Sequence, residues 1–263
     1  MGVPRICSRA PWGAGPVGFV KQVQPVLDRY CVRCHSGRAP KARVDLSGDK
    51  TRFYNMAYQT LLDGNYVEYY YINDGPTGNF QPLESGSWVS KLTRMIESKH
   101  SGVDMDDEGR RRIYAWIDAN APYYDTWDMS RPHTMGGRDT WHRLKTGEGG
   151  PIEPEPWFAG FQETFQKNCA SCHGGVGEAW INLTRPEFSR ALNAHLSKNA
   201  GGIGLRGEKD GKKSPVFEDM NDAIYKTLLR AARAGKQALD AKPRMDMPGG
   251  VAVAQQRNFG KLY

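Results

Sequence analysis

The chain has 263 residues, 39% hydrophobic and 25% charged, and 36 Lys and Arg against 29 Asp and Glu give a formal net charge of +7. That length fits two modest domains better than one, and 7 Trp, 12 Tyr and 9 Phe beside 30 Gly and 16 Pro make it turn-rich yet too aromatic for simple disorder. No stretch approaches the roughly 18 apolar residues of a membrane span, and MGVPRICSRAPWGAG has no continuous apolar segment of signal-peptide length, so neither a span nor an intact secretion signal is read.

Residues 1–18 form a Pro- and Gly-rich lead holding Cys7, a free thiol or an intermolecular disulfide partner. In FVKQVQPVLDRYC, Val20, Val23, Val26 and Leu27 recur every three to four residues and predict a short amphipathic helix ending at Cys31. CVRCH follows, with Cys31, Cys34 and His35. The aromatic run Tyr66 to Phe80 surrounds an Asn-Asp-Gly-Pro turn and reads as packing surface. MIESKHSGVDM carries His100 and Met105. EGRRRIYAWIDANAP, from Glu108, predicts a helix with Ile113, Trp116 and Ile117 as its inner stripe, ended by Asn120 and Pro122. A Gly- and Pro-rich stretch over 127–156 holds His133 and His142, read as surface histidines.

The second half repeats the first. FAGFQETFQKNC places Phe158, Phe161 and Phe165 at helical spacing and leads into CASCH, with Cys169, Cys172 and His173. MNDAIYKTLLRAARAGKQAL predicts a closing helix with Ile224, Tyr225, Leu228, Leu229 and Ala232 on one side and Gly235 near its end, and PRMDMPGG follows with Met245 and Met247. The basic residues are dispersed. Arg110 to Arg112 and the segment from Arg206 to Lys213 are diluted by acids, which argues for solvated faces and an acidic protein partner and against nucleic acid.

C-x-x-C-H is the attachment motif of c-type haem. This composition predicts about 0.002 chance matches, and the motif occurs twice. Two thiols three positions apart can add to the two vinyl groups of one porphyrin, while the adjacent imidazole turns to the iron. A four-thiolate zinc site or a pair of redox dithiols would not call for His after both pairs. The expectation is therefore a mainly α chain of two cytochrome c-like haem modules in tandem, 19–126 and 157–263, joined by the long Gly/Pro-rich connector and carrying two covalently bound haem c groups.

Each iron needs a sixth ligand or an open site, and imidazole and thioether are the usual partners. For the first haem His100 is the favoured ligand and Met105 the runner-up. For the second, Met247 before Pro-Gly resembles the loop that presents a Met sulfur in small cytochromes c, with Met245 and His195 as alternatives. Bis-His ligation of the first haem and His/Met ligation of the second would send electrons from the first to the second, because thioether ligation raises the potential.

CVRCHSG, DLSGDKTRFYNMAY, GNFQPL, SKLTRMIESKH and RIYAWIDANAPYY resemble the C-terminal cytochrome c region of the hydrazine synthase alpha-subunit-like proteins common in planctomycetes, and NCASCH, GGIGLR and PRMDMPG extend the likeness loosely to the end. In that family such haem domains follow a β-propeller, and PWGAGPVGF is similar to the linker entering the haem region. The resemblance implies His100 as distal ligand and membership of a larger multi-subunit complex. It also implies a Tyr four residues after the motif His of a catalytic haem, where this chain has Ala39 and Gly177. The function expected is thus electron transfer between redox protein partners, with a dihaem peroxidase having one open haem as the alternative. Covalent haem attachment takes place outside the energy-conserving membrane, so the expected location is periplasmic or otherwise extracytoplasmic.

Overall fold

The computed structural model describes residues 12–13, 15–69, 83–125, 155–209 and 212–250. Cys7, His133, His142, most of the aromatic run and nearly all of the connector lie outside these residues. Among the described residues the chain is mainly helical, with one antiparallel hairpin of β1 (Arg206–Lys209) and β2 (Lys212–Pro215) in the register Arg206 to Pro215. No described helix is long and apolar enough to cross a membrane.

The first half opens with a π-helical turn, Phe19–Val23, that runs into α1 (Gln24–Tyr30). Pro25 explains the widened turn. It has no N–H for the carbonyl four residues back, and its ring crowds that carbonyl, so the backbone upstream opens to i→i+5 spacing. The turn is anchored where the Phe19 N–H donates to the carbonyls of Pro122 and Tyr123, at 3.1 and 3.0 Å. Two helices not foreseen from periodicity follow: α2 (Met56–Asp63), capped by Asn55 accepting from the Tyr58 N–H, and α3 (Lys91–Glu97). The predicted closing helix is α4 (Asp107–Asp118), capped by Asp106 accepting from the Gly109 N–H. Its stripe of Ile113, Trp116 and Ile117 is buried as expected, against Phe19, Leu27 and Leu61. The helix stops before Asn120, which turns left-handed at φ +68°.

In the second half α5 (Pro156–Cys169) buries Phe158, Phe161 and Phe165 and crosses α7 (Ala223–Ala241), which Asp222 caps and which buries Tyr225, Leu228, Ala232 and Leu239. A one-turn helix, α6 (Arg190–Asn193), adds Leu192 to the same core. Gly235 does not end α7, which continues to Ala241. It lies buried at the crossing, where a Cβ would stand 2.7 Å from the Trp157 ring and 2.9 Å from Leu183. The missing side chain is what lets the two helices approach.

Each half has its own apolar cluster, and the seam between them is polar. Arg244, fully buried, crosses it: Nη1 donates to the carbonyls of Thr51 and Arg52 at 2.8 and 3.3 Å, and Nη2 to Tyr54 at 2.8 Å. Its Nε and Nη2 also donate to the two carboxylate oxygens of Asp246, at 2.9 and 3.0 Å. Asp246 accepts in addition from the Tyr123 hydroxyl at 2.7 Å and from Lys50 Nζ at 3.2 Å. Asp49 accepts from Asn182 and Arg185, and the Arg52 guanidinium lies 3.7 Å from the centre of the Phe158 ring while pairing with Glu178.

Two outcomes test this packing. Ala at 235 would gain about 1 kcal/mol of helix propensity but overpack the crossing at a cost of about 1–3 kcal/mol. Gly235→Ala is therefore expected to lower the midpoint of chemical denaturation. The second concerns pH. Burial alone would raise the Asp246 carboxyl, but Arg244, then Lys50 and the Tyr123 hydroxyl, carry it well below the usual carboxylate range. A depressed pKa gives stability that is full above the unfolded value of about 3.9 and is lost as pH falls through the folded one. Acid unfolding curves should thus show stability falling below about pH 4, and Asp246→Asn should weaken that dependence while costing roughly 3 kcal/mol at neutral pH, because Arg244 is left buried and unpaired.

Candidate haem-binding sites

The two motifs adopt the same turn. In the first, the Cys34 and His35 N–H groups both donate to the Cys31 carbonyl, at 3.1 and 3.0 Å; in the second, Cys172 and His173 do the same to Cys169, at 3.1 and 3.0 Å. Each turn directly follows a helix whose apolar face is buried, α1 or α5, so each Cys pair leaves its core at a fixed point. The thiols are free, half-buried at Cys31, Cys34 and Cys169 and exposed at Cys172. Burial, then the neighbouring Cys34, pushes the Cys31 thiol up to about 11, and burial likewise raises Cys169. A thiol held protonated is a poor redox nucleophile, which speaks against a dithiol of thioredoxin type.

Each motif histidine faces a second histidine. The rings of His35 and His100 have centroids 6.2 Å apart and planes 31° apart; those of His173 and His195 are 5.7 Å apart at 64°. Two imidazoles on opposite sides of one metal ion, each bound at roughly 2 Å, put their ring centres about 6 Å apart. Both pairs match that spacing. The other ring nitrogens add to the match: His35 Nδ1 lies 3.2 Å from the Lys41 carbonyl and His195 Nδ1 3.1 Å from the Leu205 carbonyl. A histidine whose Nδ1–H donates to a backbone carbonyl presents Nε2 as the free ligand atom, the usual arrangement behind a metal-bound imidazole.

The backbone is shaped to make these pairs. His100 opens a single turn after α3, flanked by Lys99 at φ +50° and Ser101 at φ +53°, two non-glycine residues held left-handed. His195 follows α6 on a loop pinned by Phe217 N–H to its own carbonyl and by Leu205 N–H to Ala194. Phe165 and Trp180 flank His173 at 5.9 and 5.4 Å between ring centroids. Burial, then His195 and Arg190, push the His173 imidazole below its ordinary value, which keeps it neutral and able to bind metal.

The chain matches no protein-family model, no curated protein and no solved structure. Its chemistry is therefore argued from its own donors. Among the described residues no three His, Cys, Asp or Glu converge as a metal cluster, so the two C-x-x-C pairs do not meet as a four-thiolate zinc site would require. The donor set left is two thiols and two facing imidazoles, twice over, and it fits a c-type haem in each half.

His100, the ligand expected for the first motif, has its ring 6.2 Å from that of His35. Met105 is buried in the first core. Opposite His173 the structure puts His195, and Met247 instead packs at the edge of the second core, its N–H donating to the Arg244 carbonyl. The turn that looked like a Met-presenting loop holds the seam through its alternate residues, Arg244 and Asp246. Nothing in an Arg-x-Asp pair beside a proline marks that role in sequence. His195 was visible as a candidate, but a lone His beyond a short helix carries no periodic signal to favour it.

Proposed function

We propose that this chain is a dihaem c-type cytochrome that passes electrons between redox protein partners, its haems attached at Cys31 and Cys34 and at Cys169 and Cys172. The reading assigns His35 and His100 as the axial pair of the first haem and His173 and His195 as that of the second. A bound haem c supplies a reversible one-electron couple. The observation that carries the reading is the pair of His–His spacings, one beside each C-x-x-C turn.

What the residues do follows from their contacts. Lys41 and Leu205 hold the Nδ1 atoms of His35 and His195, fixing which nitrogen is offered. With a histidine facing each motif histidine, neither site keeps the open distal position that a peroxidase needs, which favours electron transfer over peroxide cleavage. His195 in place of Met247 also removes the ligand difference that ordered the two potentials, so any order arises from burial and nearby charge. The resemblance to the hydrazine synthase alpha-subunit-like haem region, the net charge of +7 and the attachment chemistry support an extracytoplasmic carrier that docks an acidic partner, as part of a larger complex.

Protein produced with haem-attachment machinery should carry two covalent haems by mass, and Cys31→Ser with Cys34→Ser should leave one. The ferric protein should give low-spin spectra without the near-infrared band of thioether ligation. His195→Ala is expected to turn one haem high-spin, while Met247→Leu leaves the spectrum unchanged. A near-infrared band lost in Met247→Leu would return the ligand role to Met247, and a high-spin haem in the unaltered protein would favour the peroxidase.

A further inference from the structure

The two facing histidines are held by different means. His195 stands between Ala194 and Leu196, both buried, and its loop is tied to distant backbone. The Phe217 N–H donates to the His195 carbonyl at 3.1 Å, the Leu205 N–H to Ala194 at 2.7 Å and the Gly204 N–H to Leu196 at 2.9 Å. The ring itself is fixed through Nδ1, 3.1 Å from the Leu205 carbonyl.

Among the described residues His100 has no tie of this kind. Residues 98–102 are all exposed, and the backbone bonds of the turn stay local: Lys99 N–H to Ile96 at 3.0 Å, Gly102 N–H to Lys99 at 2.8 Å and Val103 N–H to His100 at 3.1 Å. Lys99, Ser101 and Gly102 are left-handed, at φ +50°, +53° and +77°, and the first two carry side chains that disfavour that region. The Lys99–Asp104 ion pair, 3.2 Å long and exposed on both sides, adds little. The Ser101 hydroxyl lies 3.4 Å from His100 Nε2. It thus meets the nitrogen that iron would take instead of fixing the other one.

We propose that the first haem site is a gated small-ligand site: His100 yields the iron to a neutral diatomic molecule of the carbon monoxide type, while His195 keeps its place at the second haem. The proposal rests on the haem reading above. A segment held only by local bonds opens readily, and re-forming this one means rebuilding a strained turn. The exchange moves no electrons: the imidazole leaves ferrous iron with its lone pair as the lone pair of the diatomic arrives, and the iron stays ferrous. The place vacated is that of one imidazole, so the entrant is small. His35 remains, its Nδ1 held by the Lys41 carbonyl. Because a π-accepting ligand favours ferrous iron, binding would hold the first haem reduced and stop electron transfer through it.

The test is a carbon monoxide titration of the dithionite-reduced two-haem protein, followed by absorption and flash photolysis. One carbon monoxide should bind per chain. Ser101→Gly, which relieves the strain and removes the hydroxyl, should weaken binding about tenfold. Gly102→Ala should strengthen it by a similar factor, because its Cβ meets no atom within 4 Å and adds only backbone strain. Gly201→Ala places the same strain, at φ +82°, in the loop after His195 and should change nothing. Binding at neither haem, binding at both, or an affinity that neither variant of the His100 turn moves would overturn the proposal. The unaltered protein separates the two ideas. Fewer than two covalent haems, or a high-spin haem before carbon monoxide is added, sinks the haem reading, whereas two low-spin haems that bind no carbon monoxide sink only the gated site.

Discussion

Arg244 and Asp246 decide whether the two halves act as one body. They lie two residues apart on a turn of the second half, yet their donors and acceptors are spent on the first: three carbonyls between Thr51 and Tyr54, the Tyr123 hydroxyl and Lys50. Removing two charges from water is costly, and the cost is offset only when every donor finds an acceptor. Here the guanidinium does, with a two-point pair to its carboxylate and three carbonyls besides. A looser geometry would leave a buried charge unmet, so the seam tolerates one relative placement of the halves. Other crossings, among them Asp49 to Arg185 and Asn182 and Arg52 to Glu178, repeat the logic with less burial.

That fixed seam gives the internal repeat its meaning. Each half uses the same short program: an amphipathic helix, a C-x-x-C-H turn, and a returning loop that brings a second histidine opposite the first. The halves differ in which imidazole is tied down. In the first it is the motif residue, His35, held by Lys41, while His100 is exposed and, among the described residues, meets the Ser101 hydroxyl at 3.4 Å from Nε2. In the second it is the facing residue, His195, held by Leu205. Under the proposed haem ligation, one anchored and one adjustable imidazole per pair would set ligand geometry while letting the other ring settle onto the metal.

The parts of this arrangement legible in the sequence are those with a local signature. The motif spacing and the stripes of α1, α4, α5 and α7 depend on residues close in the chain, where period and spacing speak directly. α2 and α3 are too short for a period to stand out. Gly235 reads as a helix end because glycine usually is one, and only the Trp157 ring facing it reveals a crossing instead. Around Met247 a local pattern resembles a known loop, while the tertiary contacts of its neighbours Arg244 and Asp246 hold the seam. The seam has no local signature at all, because its partners stand more than a hundred residues apart and none repeats.

Under the proposed electron-transfer function, the seam also bears on how the two halves would exchange electrons. A carrier with two independent modules on a loose connector would exchange electrons between them only when the modules met. On that proposal, a seam that admits one placement keeps the two motif turns at constant separation, so exchange between the halves would not wait on domain motion. The composition fits this economy. A chain with a mean hydropathy of −0.65 builds two small apolar clusters and joins them through ion pairs and carbonyl contacts, leaving its hydrophobic residues to the helices behind each C-x-x-C turn. The polar seam is thus the counterpart of the sparse core: where apolar area is limited, satisfied charges supply the specificity that holds the two sites in register.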